Sequence, residues 1–283
     1  MSKHVKLKDG TELPSIGQGT WLMGENISKK QDEIRALQLG LDLGLKVIDT
    51  AEMYGEGLSE QLVGEAIKGR RDEAFLVSKV YPHNAGFPSI IKSCENSLKR
   101  LETDAIDLYL LHWRGGVPLS ETVEGMEKLK KDGKIKRWGI SNFDTADMEE
   151  LWALPDGENA QANQVLYHLG TRGIEFDLMP WQKQKQLPIM AYSPIAHGGR
   201  ERERLLENSV IKEVATDYGV TPLQIALAWT VRSGDVLSIP KAVQAQHVRQ
   251  NAEAMSIELS VETLKQLDAA FQPPKTKQPL DII

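Results

Sequence analysis

Short, almost wholly apolar runs recur along this chain, separated by longer stretches in which apolar positions return every three or four residues. The short runs lie at 16–19, 47–49, 75–79, 106–112, 138–141, 163–166, 189–193 and 237–240. Runs of this kind predict strands covered on both faces, as in a parallel sheet. The longer stretches predict amphipathic helices. Residues 29–43 put Ile34, Leu37 and Leu41 on one stripe, and 59–68 bring Leu62, Val63 and Ile67 together. Pro88 and Pro118 open the helical stretches 88–101 and 118–131, where a first turn tolerates proline. Gly44 and Gly133 follow helices, at positions suited to a left-handed cap. Ahead of the first run, residues 5–13 alternate on both sides of Asp9-Gly10, the pattern of a β-hairpin.

Strands alternating with helices predict right-handed βαβ units and a parallel sheet. Eight such units fit the roughly 250 residues of a closed barrel, and the 283 residues show neither a linker nor a break in composition. The expected fold is therefore α/β: a single (β/α)8 TIM barrel domain over 1–283, with the N-terminal hairpin closing its bottom. An open doubly wound sheet would carry a glycine fingerprint after its first strand. Here Gly17-Gln18-Gly19-Thr20-Trp21-Leu22 lacks the third glycine, and no helix begins there.

Composition narrows the function classes. Hydrophobic residues make up 41%, enough for a sizeable core. No segment approaches the roughly 20 apolar residues of a membrane span, and the polar stretch 1–10 lacks the apolar core of a secretory signal. A cytoplasmic protein without a membrane partner is expected. Charge is 34 Lys+Arg against 40 Asp+Glu, and the net −6 is spread out. The basic patches 128–136 and 200–204 are interrupted by acids or glycine and read as solvated faces, so no nucleic-acid partner is expected. Cys94, the single cysteine, excludes an internal disulfide and a cysteine-based metal site. Its spacing places it on a helix as a small packing residue, and no metal is expected.

Three of the apolar runs stop at a residue able to move or steer a proton: Asp49, Lys79 and His112, with Tyr54 five positions after Asp49. A barrel carries its chemistry at the C-terminal ends of its strands. Singly, each residue has an ordinary explanation as a turn cap, a snorkelling lysine or a core histidine. On three consecutive strands they assemble a site. An unperturbed phenol has a pKa of about 10, too high to be poised near neutrality. A neighbouring ammonium is expected to lower it, while Asp49 keeps Lys79 charged and aimed. His112 can donate to a substrate oxygen. The set could polarise and protonate a carbonyl, but it contains no reductant, so a hydride must come from a cofactor.

On these residues the chain resembles the aldo-keto reductase family, in the manner of its bacterial NADPH-dependent aldehyde and methylglyoxal reductases. The segment Gly44-Leu45-Lys46-Val47-Ile48-Asp49-Thr50-Ala51, with Tyr54-Gly55 and Glu60-Gln61-Leu62-Val63-Gly64 after it, is similar to the family's first signature. The likeness runs from the Asp9-Gly10 hairpin to Phe271. It implies a catalytic tetrad of Asp49, Tyr54, Lys79 and His112, with Tyr54 as general acid. It gives Ser141, Asn142 and Gln164 the nicotinamide carboxamide, and Tyr192 a stacking role on the ring. The glycine-bearing loop 193–200, with Ser193, Ile195 and Gly198, suits a pyrophosphate approached by backbone amides. Arg200 and Arg202 alternate with glutamates there and read as solvent-facing.

Lys241, His247 and Asn251 match the motif that holds an adenosine 2′-phosphate. Ala242 replaces a common serine, however, and His247 stands where an arginine usually grips the phosphate with a permanently charged fork. NADPH (NADP+) is thus the expected cofactor, with a reduced preference that leaves NADH possible. Arg249, two positions on, is placed to compensate.

Trp21 and Trp113 are placed to wall a substrate pocket, with Tyr81 and Trp181 as further aromatic candidates. The short, proline-rich segment 272–279 implies an open pocket and loose selectivity. Small or aromatic aldehydes and dicarbonyls such as methylglyoxal are the expected substrates, handled by a monomer. One rival is a nucleotide-binding redox sensor of the same fold with little turnover. Another is isomerase or aldol chemistry through a Schiff base on Lys79.

Overall fold

The apolar runs pair in parallel in the order in which the chain makes them. A computed structural model describes residues 3–283; Met1 and Ser2 of the polar N-terminal stretch lie outside the described residues. The hairpin comes first, β1 (His4–Lys6) antiparallel to β2 (Glu12–Pro14), with Val5 opposite Leu13. The barrel strands follow: β3 (Gln18–Gly19), β4 (Val47–Asp49), β5 (Phe75–Val80), β6 (Leu108–Leu111), β7 (Trp138–Ser141), β8 (Asn163–Leu166), β9 (Ile189–Tyr192) and β10 (Val236–Ser238). Each pairs in parallel with its sequence neighbour.

The tube closes between its first and last staves. Gly17 N–H donates to Ser238 O at 2.8 Å, Ser238 N–H to Ser15 O at 2.8 Å, and Gly19 N–H to Pro240 O at 3.1 Å. A Cβ on Gly19 would stand 2.7 Å from the Ile239 carbonyl oxygen, so this seam requires glycine. Closure leaves the barrel sheet no edge strand to be capped.

Helices α1 (Lys30–Asp42), α2 (Leu58–Ala66), α3 (Ser89–Arg100), α4 (Leu119–Lys131), α5 (Thr145–Trp152) and α6 (Leu178–Gln184) alternate with β3 to β9. Three helices then separate β9 from β10: α7 (Gly199–Leu206), α8 (Ser209–Tyr218) and α9 (Pro222–Thr230). Helices α10 (Ala245–Ala254) and α11 (Val261–Ala270) follow β10. Asp144 with Asp147, and Thr221 with Gln224, form capping boxes that start α5 and α9. Pro88 and Pro118 sit one position outside their helices, and Gly44 and Gly133 take the expected left-handed conformation. The sixth strand is shorter than its apolar run. Ile106 makes only an isolated bridge to Ile135, and His112 lies just past the strand's end, its N–H on Val80 O at 3.0 Å.

Period-two alternation sorts each strand between two cores. Val47, Val77, Leu108, Leu110, Ala162, Met190 and Leu237 fill the lumen together with Val5, Leu7 and Leu13, so the hairpin plugs the N-terminal end. Ile48, Leu76, Val80, Tyr109, Leu111 and Ile140 face the helices instead. Burying one such side chain contributes about 1.5–3 kcal/mol, which makes a one-residue register slip costly. Cys94 is buried on α3 as a packing residue, and burial pushes its thiol up to about 12. Four of the five lysines of 128–136 reach acids: Lys128 to Asp132, Lys130 to Glu127, Lys134 to Glu95 and Lys136 to Asp107. Among the described residues, no helix is long and apolar enough to cross a membrane.

Candidate active site

The same alternation that fills the lumen aims the chemistry. Two positions beyond the inward Val47, Val77 and Leu110 come Asp49, Lys79 and His112, and on β7 to β9 the matching inward positions are Ser141, Gln164 and Tyr192. The stagger of the staves makes these a rising rim: Asp49 is level with Val77, and Lys79 with Leu110. Lys79 is fully buried and uses three N–H donors: to Asp49 Oδ2 at 2.7 Å, Thr50 O at 2.9 Å and Tyr54 Oη at 3.1 Å. Asp49 also accepts from Gln164 Nε2 at 2.7 Å, a bond that crosses the lumen. Tyr54 folds back from the β4 loop, its ring 4.7 Å from the ammonium and edge-on to His112 at 5.7 Å. All four predicted residues meet at one point.

Electrostatics follow from burial and from that ammonium. Burial works against the Lys79 charge, yet Asp49 and Tyr54 outweigh it and hold the amine above its ordinary range. Burial is also the largest influence on Tyr54 and, helped by the Asp49 charge, raises the phenol despite the opposing pull of Lys79. The expected lowering of the phenol is therefore corrected. The ammonium is close enough, but the carboxylate that keeps it charged and the low-dielectric site both favour the neutral phenol. His112 is pushed down to about 2 by burial and by Lys79, so it stands neutral, with a buried Nδ1 that has no hydrogen-bond partner among the described residues.

A cleft of about 330 Å3 opens over this rim and contains Asp49, Tyr54, His112, Ser141, Asn142, Gln164, Tyr192 and Lys241 in its lining. Tyr192 donates to Asn142 Oδ1 at 2.9 Å, and Asn142 Nδ2 donates to His112 O at 3.1 Å, which fixes the ring and the amide. Ser141 Oγ donates to Gln164 O at 2.8 Å and accepts from Asn142 Nδ2 at 3.3 Å. Ser193 and Ile195 line the cleft from the loop after β9, where Ser193 turns left-handed at φ 46 and ends the strand. Gly198, at φ 133, lies just before α7 and outside the lining. Lys241 borders the cleft with its ammonium lowered, by desolvation first. His247 is exposed on α10 and Asn251 is buried there; neither lines the cleft.

The aromatic wall is partly as expected. Trp21 and Trp113 line the cleft, whereas Tyr81 stands behind Trp113 at 6.1 Å and Trp181 packs on Trp152 at 5.1 Å, away from it. Sequence reasoning missed three contributors. His197 meets the Trp21 ring at 4.8 Å, linking the loops after β3 and β9. Arg202, read as solvent-facing, lines the cleft without a carboxylate partner among the described residues, and desolvation lowers its pKa. Its position three before the buried Leu205 on α7 was the available signal.

The third is the C-terminal segment, and it corrects the open-pocket expectation. Lys277 bonds Asp144 at 2.5 Å and Asp177 at 2.7 Å, strapping the segment over α5 and α6, and Ile282 and Ile283 form part of the cleft wall. Proline content gave no sign of this, because a lysine on two helix caps holds the strap.

A donor-bearing phenol on a buried ammonium, beneath a cleft with two unpaired cations, suits an anionic redox nucleotide and a carbonyl substrate. The family model described as "Aldo/keto reductase family" matches residues 15–272. The chain is 52% identical to methylglyoxal reductase YeaE of Escherichia coli (strain K12) over 281 residues, 99% of each chain. It is 35% identical to glyoxal reductase of Bacillus subtilis (strain 168), covering 94% of this chain and 91% of that protein. An aldo/keto reductase from Klebsiella pneumoniae, crystallised with NADP and acetate, superposes with a TM-score of 0.98 at 53% identity over 100% of both chains. Strand order, rim geometry and full-length similarity agree: the chain belongs to the aldo/keto reductase family.

Proposed function

We propose that this protein is an NADPH-dependent reductase of small aldehydes and dicarbonyls, methylglyoxal among them, with Tyr54 as general acid. One observation carries the reading: Tyr54 Oη accepts from the Lys79 ammonium at 3.1 Å at the floor of the cleft, which leaves its own O–H free to donate into it. Bound in that cleft, NADPH would supply the hydride. Ser141, Asn142 and Gln164 would hold its carboxamide and Tyr192 would back its ring. The loop of Ser193, Ile195 and Gly198 would meet the pyrophosphate, and Lys241, His247 and Asn251 the 2′-phosphate.

Neutral His112 orients the substrate carbonyl by donating to its oxygen. Tyr54 passes its proton to that oxygen as the carbon gains hydride. Lys79 stabilises the phenolate left behind, and Asp49 with the Thr50 carbonyl holds Lys79 in place. Trp21, Trp113, Met53 and Ile282 give the substrate an apolar wall.

The test is Tyr54→Phe with a panel of aldehydes and methylglyoxal, followed through NADPH absorbance. Turnover falls by about 10²–10⁴-fold, with NADPH affinity nearly unchanged; retention of most activity rejects the assignment. Absence of NADPH oxidation by wild type across the panel would favour the redox sensor. A Schiff base requires a neutral, unpaired lysine, the opposite of Lys79 as it stands. Borohydride should trap no adduct. With His247 in place of an arginine, NADPH binds more tightly than NADH by a modest factor, and the two Kd values decide it. A single-domain cytoplasmic monomer acting on small molecules, without nucleic-acid partners, completes the reading; sedimentation velocity tests the monomer.

A further inference from the structure

Glu52 stands two residues before Tyr54, is 9% exposed and does not line the cleft. Its carboxylate accepts from Tyr81 N–H at 2.7 Å, Asn84 Nδ2 at 3.2 Å and Ser93 Oγ at 3.0 Å, with the Arg100 guanidinium at 4.0 Å. Its backbone N–H donates to Lys79 O at 3.3 Å. One side chain thus ties the β4 loop to the β5 loop and to α3. The tie matters because the residues after Tyr54 are left-handed in succession: Gly55 at φ 57, Glu56 at φ 53 and Gly57 at φ 90. A left-handed residue with a side chain, such as Glu56, is sterically costly, and such segments persist only where surroundings over-determine them. The same carboxylate reaches the site by a second route. Tyr81, held by its N–H, meets Trp113 edge-on at 6.1 Å; Trp113 meets His112 at 4.8 Å, and His112 meets Tyr54.

We infer that Glu52 is a positioning residue that fixes Tyr54 relative to the substrate carbonyl, an inference resting on the general-acid reading above. Its buried acceptor oxygens gather donors from two elements and define where the phenol hangs over the rim. It touches neither substrate nor cofactor.

The experiment is a double-mutant cycle of Glu52→Ala and Tyr54→Phe, read as single-turnover NADPH oxidation by methylglyoxal per bound NADPH. Glu52→Ala alone slows hydride transfer by about 10- to 100-fold, the scale of a misplaced reacting group, while the NADPH Kd stays within about twofold of wild type. In the Tyr54→Phe background it costs little further, because the group it positions is already gone. Glu52→Gln, which keeps an acceptor oxygen for Tyr81 N–H, recovers most of the rate.

A wild-type rate in Glu52→Ala, or an equal loss in both backgrounds, overturns the inference, since a general folding defect ignores Tyr54. If Glu52→Ala is insoluble, Ser93→Ala takes its place in the cycle: a slowed rate only when Tyr54 is present supports the inference, and a wild-type rate or an equal loss overturns it. A wild type without turnover, or an unimpaired Tyr54→Phe, is a different result and removes the general-acid reading itself.

Discussion

At the residue scale, the burial of Lys79 decides both chemistry and stability. Removing one partner of a buried pair leaves the other uncompensated, at a cost of about 3–5 kcal/mol. Lys79→Met should lose that much in denaturant melts, and adding Asp49→Asn should restore part of it. The amine is raised in the folded state, so its contribution is complete below the unfolded lysine value of about 10.4 and fades only as pH climbs through the folded one. The stability gap between wild type and Lys79→Met should therefore stay constant between about pH 6 and 9. Turnover needs a protonated Tyr54, and that phenol lies above the usual tyrosine range. A pH–rate profile should thus be flat through neutrality and fall only in alkali. His112, pushed down to about 2, adds no acid limb, and a fall in rate near pH 6.5 would contradict its neutral state. The four rim residues were legible because each ends or follows an apolar run. The direction of the Tyr54 shift was not, because a list of neighbours does not weigh burial against charge.

At the element scale, the sequence revealed staves and helices wherever an apolar run or stripe was uninterrupted. It was silent where the chain departs from strict alternation. Helices α7 and α8 lie between β9 and α9, and with them came Arg202, hidden in a run of alternating charges. The C-terminal segment has too few apolar positions to advertise its path. Arg172 joins these late elements: it bonds Glu175 at 2.7 Å, Asp268 at 2.7 Å and Phe271 O, and lies 4.8 Å from the Trp229 ring, with Arg232 at 3.7 Å from the same ring. Arg172→Ala should destabilise by about 2–4 kcal/mol, because Arg232 still partners Glu175. Proteolysis within 272–283 should accelerate in that variant, with Lys277→Ala giving the milder release.

At the scale of the whole molecule, eight parallel staves were legible from spacing alone, and the hairpin plug from its Asp-Gly turn. The seam was not. Gly17 and Gly19 stood out only as a failed nucleotide fingerprint, whereas Gly19 lets the first and last staves touch and Gly17 leaves room for Val47 of β4. Gly19→Ala should cost about 1–3 kcal/mol by forcing the Ile239 carbonyl aside. It should also weaken NADPH binding, since the Ile239 carbonyl that must move lies two residues before Lys241; thermal melts with and without NADPH separate the two effects. The seam has a kinetic consequence as well. Segments from opposite ends of the polypeptide must find each other before Lys241 can face the β3 loop, and contacts so distant in sequence form slowly. A refolding chain should regain its helical signal first and its capacity to capture dinucleotide last, so that ligand-bound fluorescence reports the final zipping of the tube.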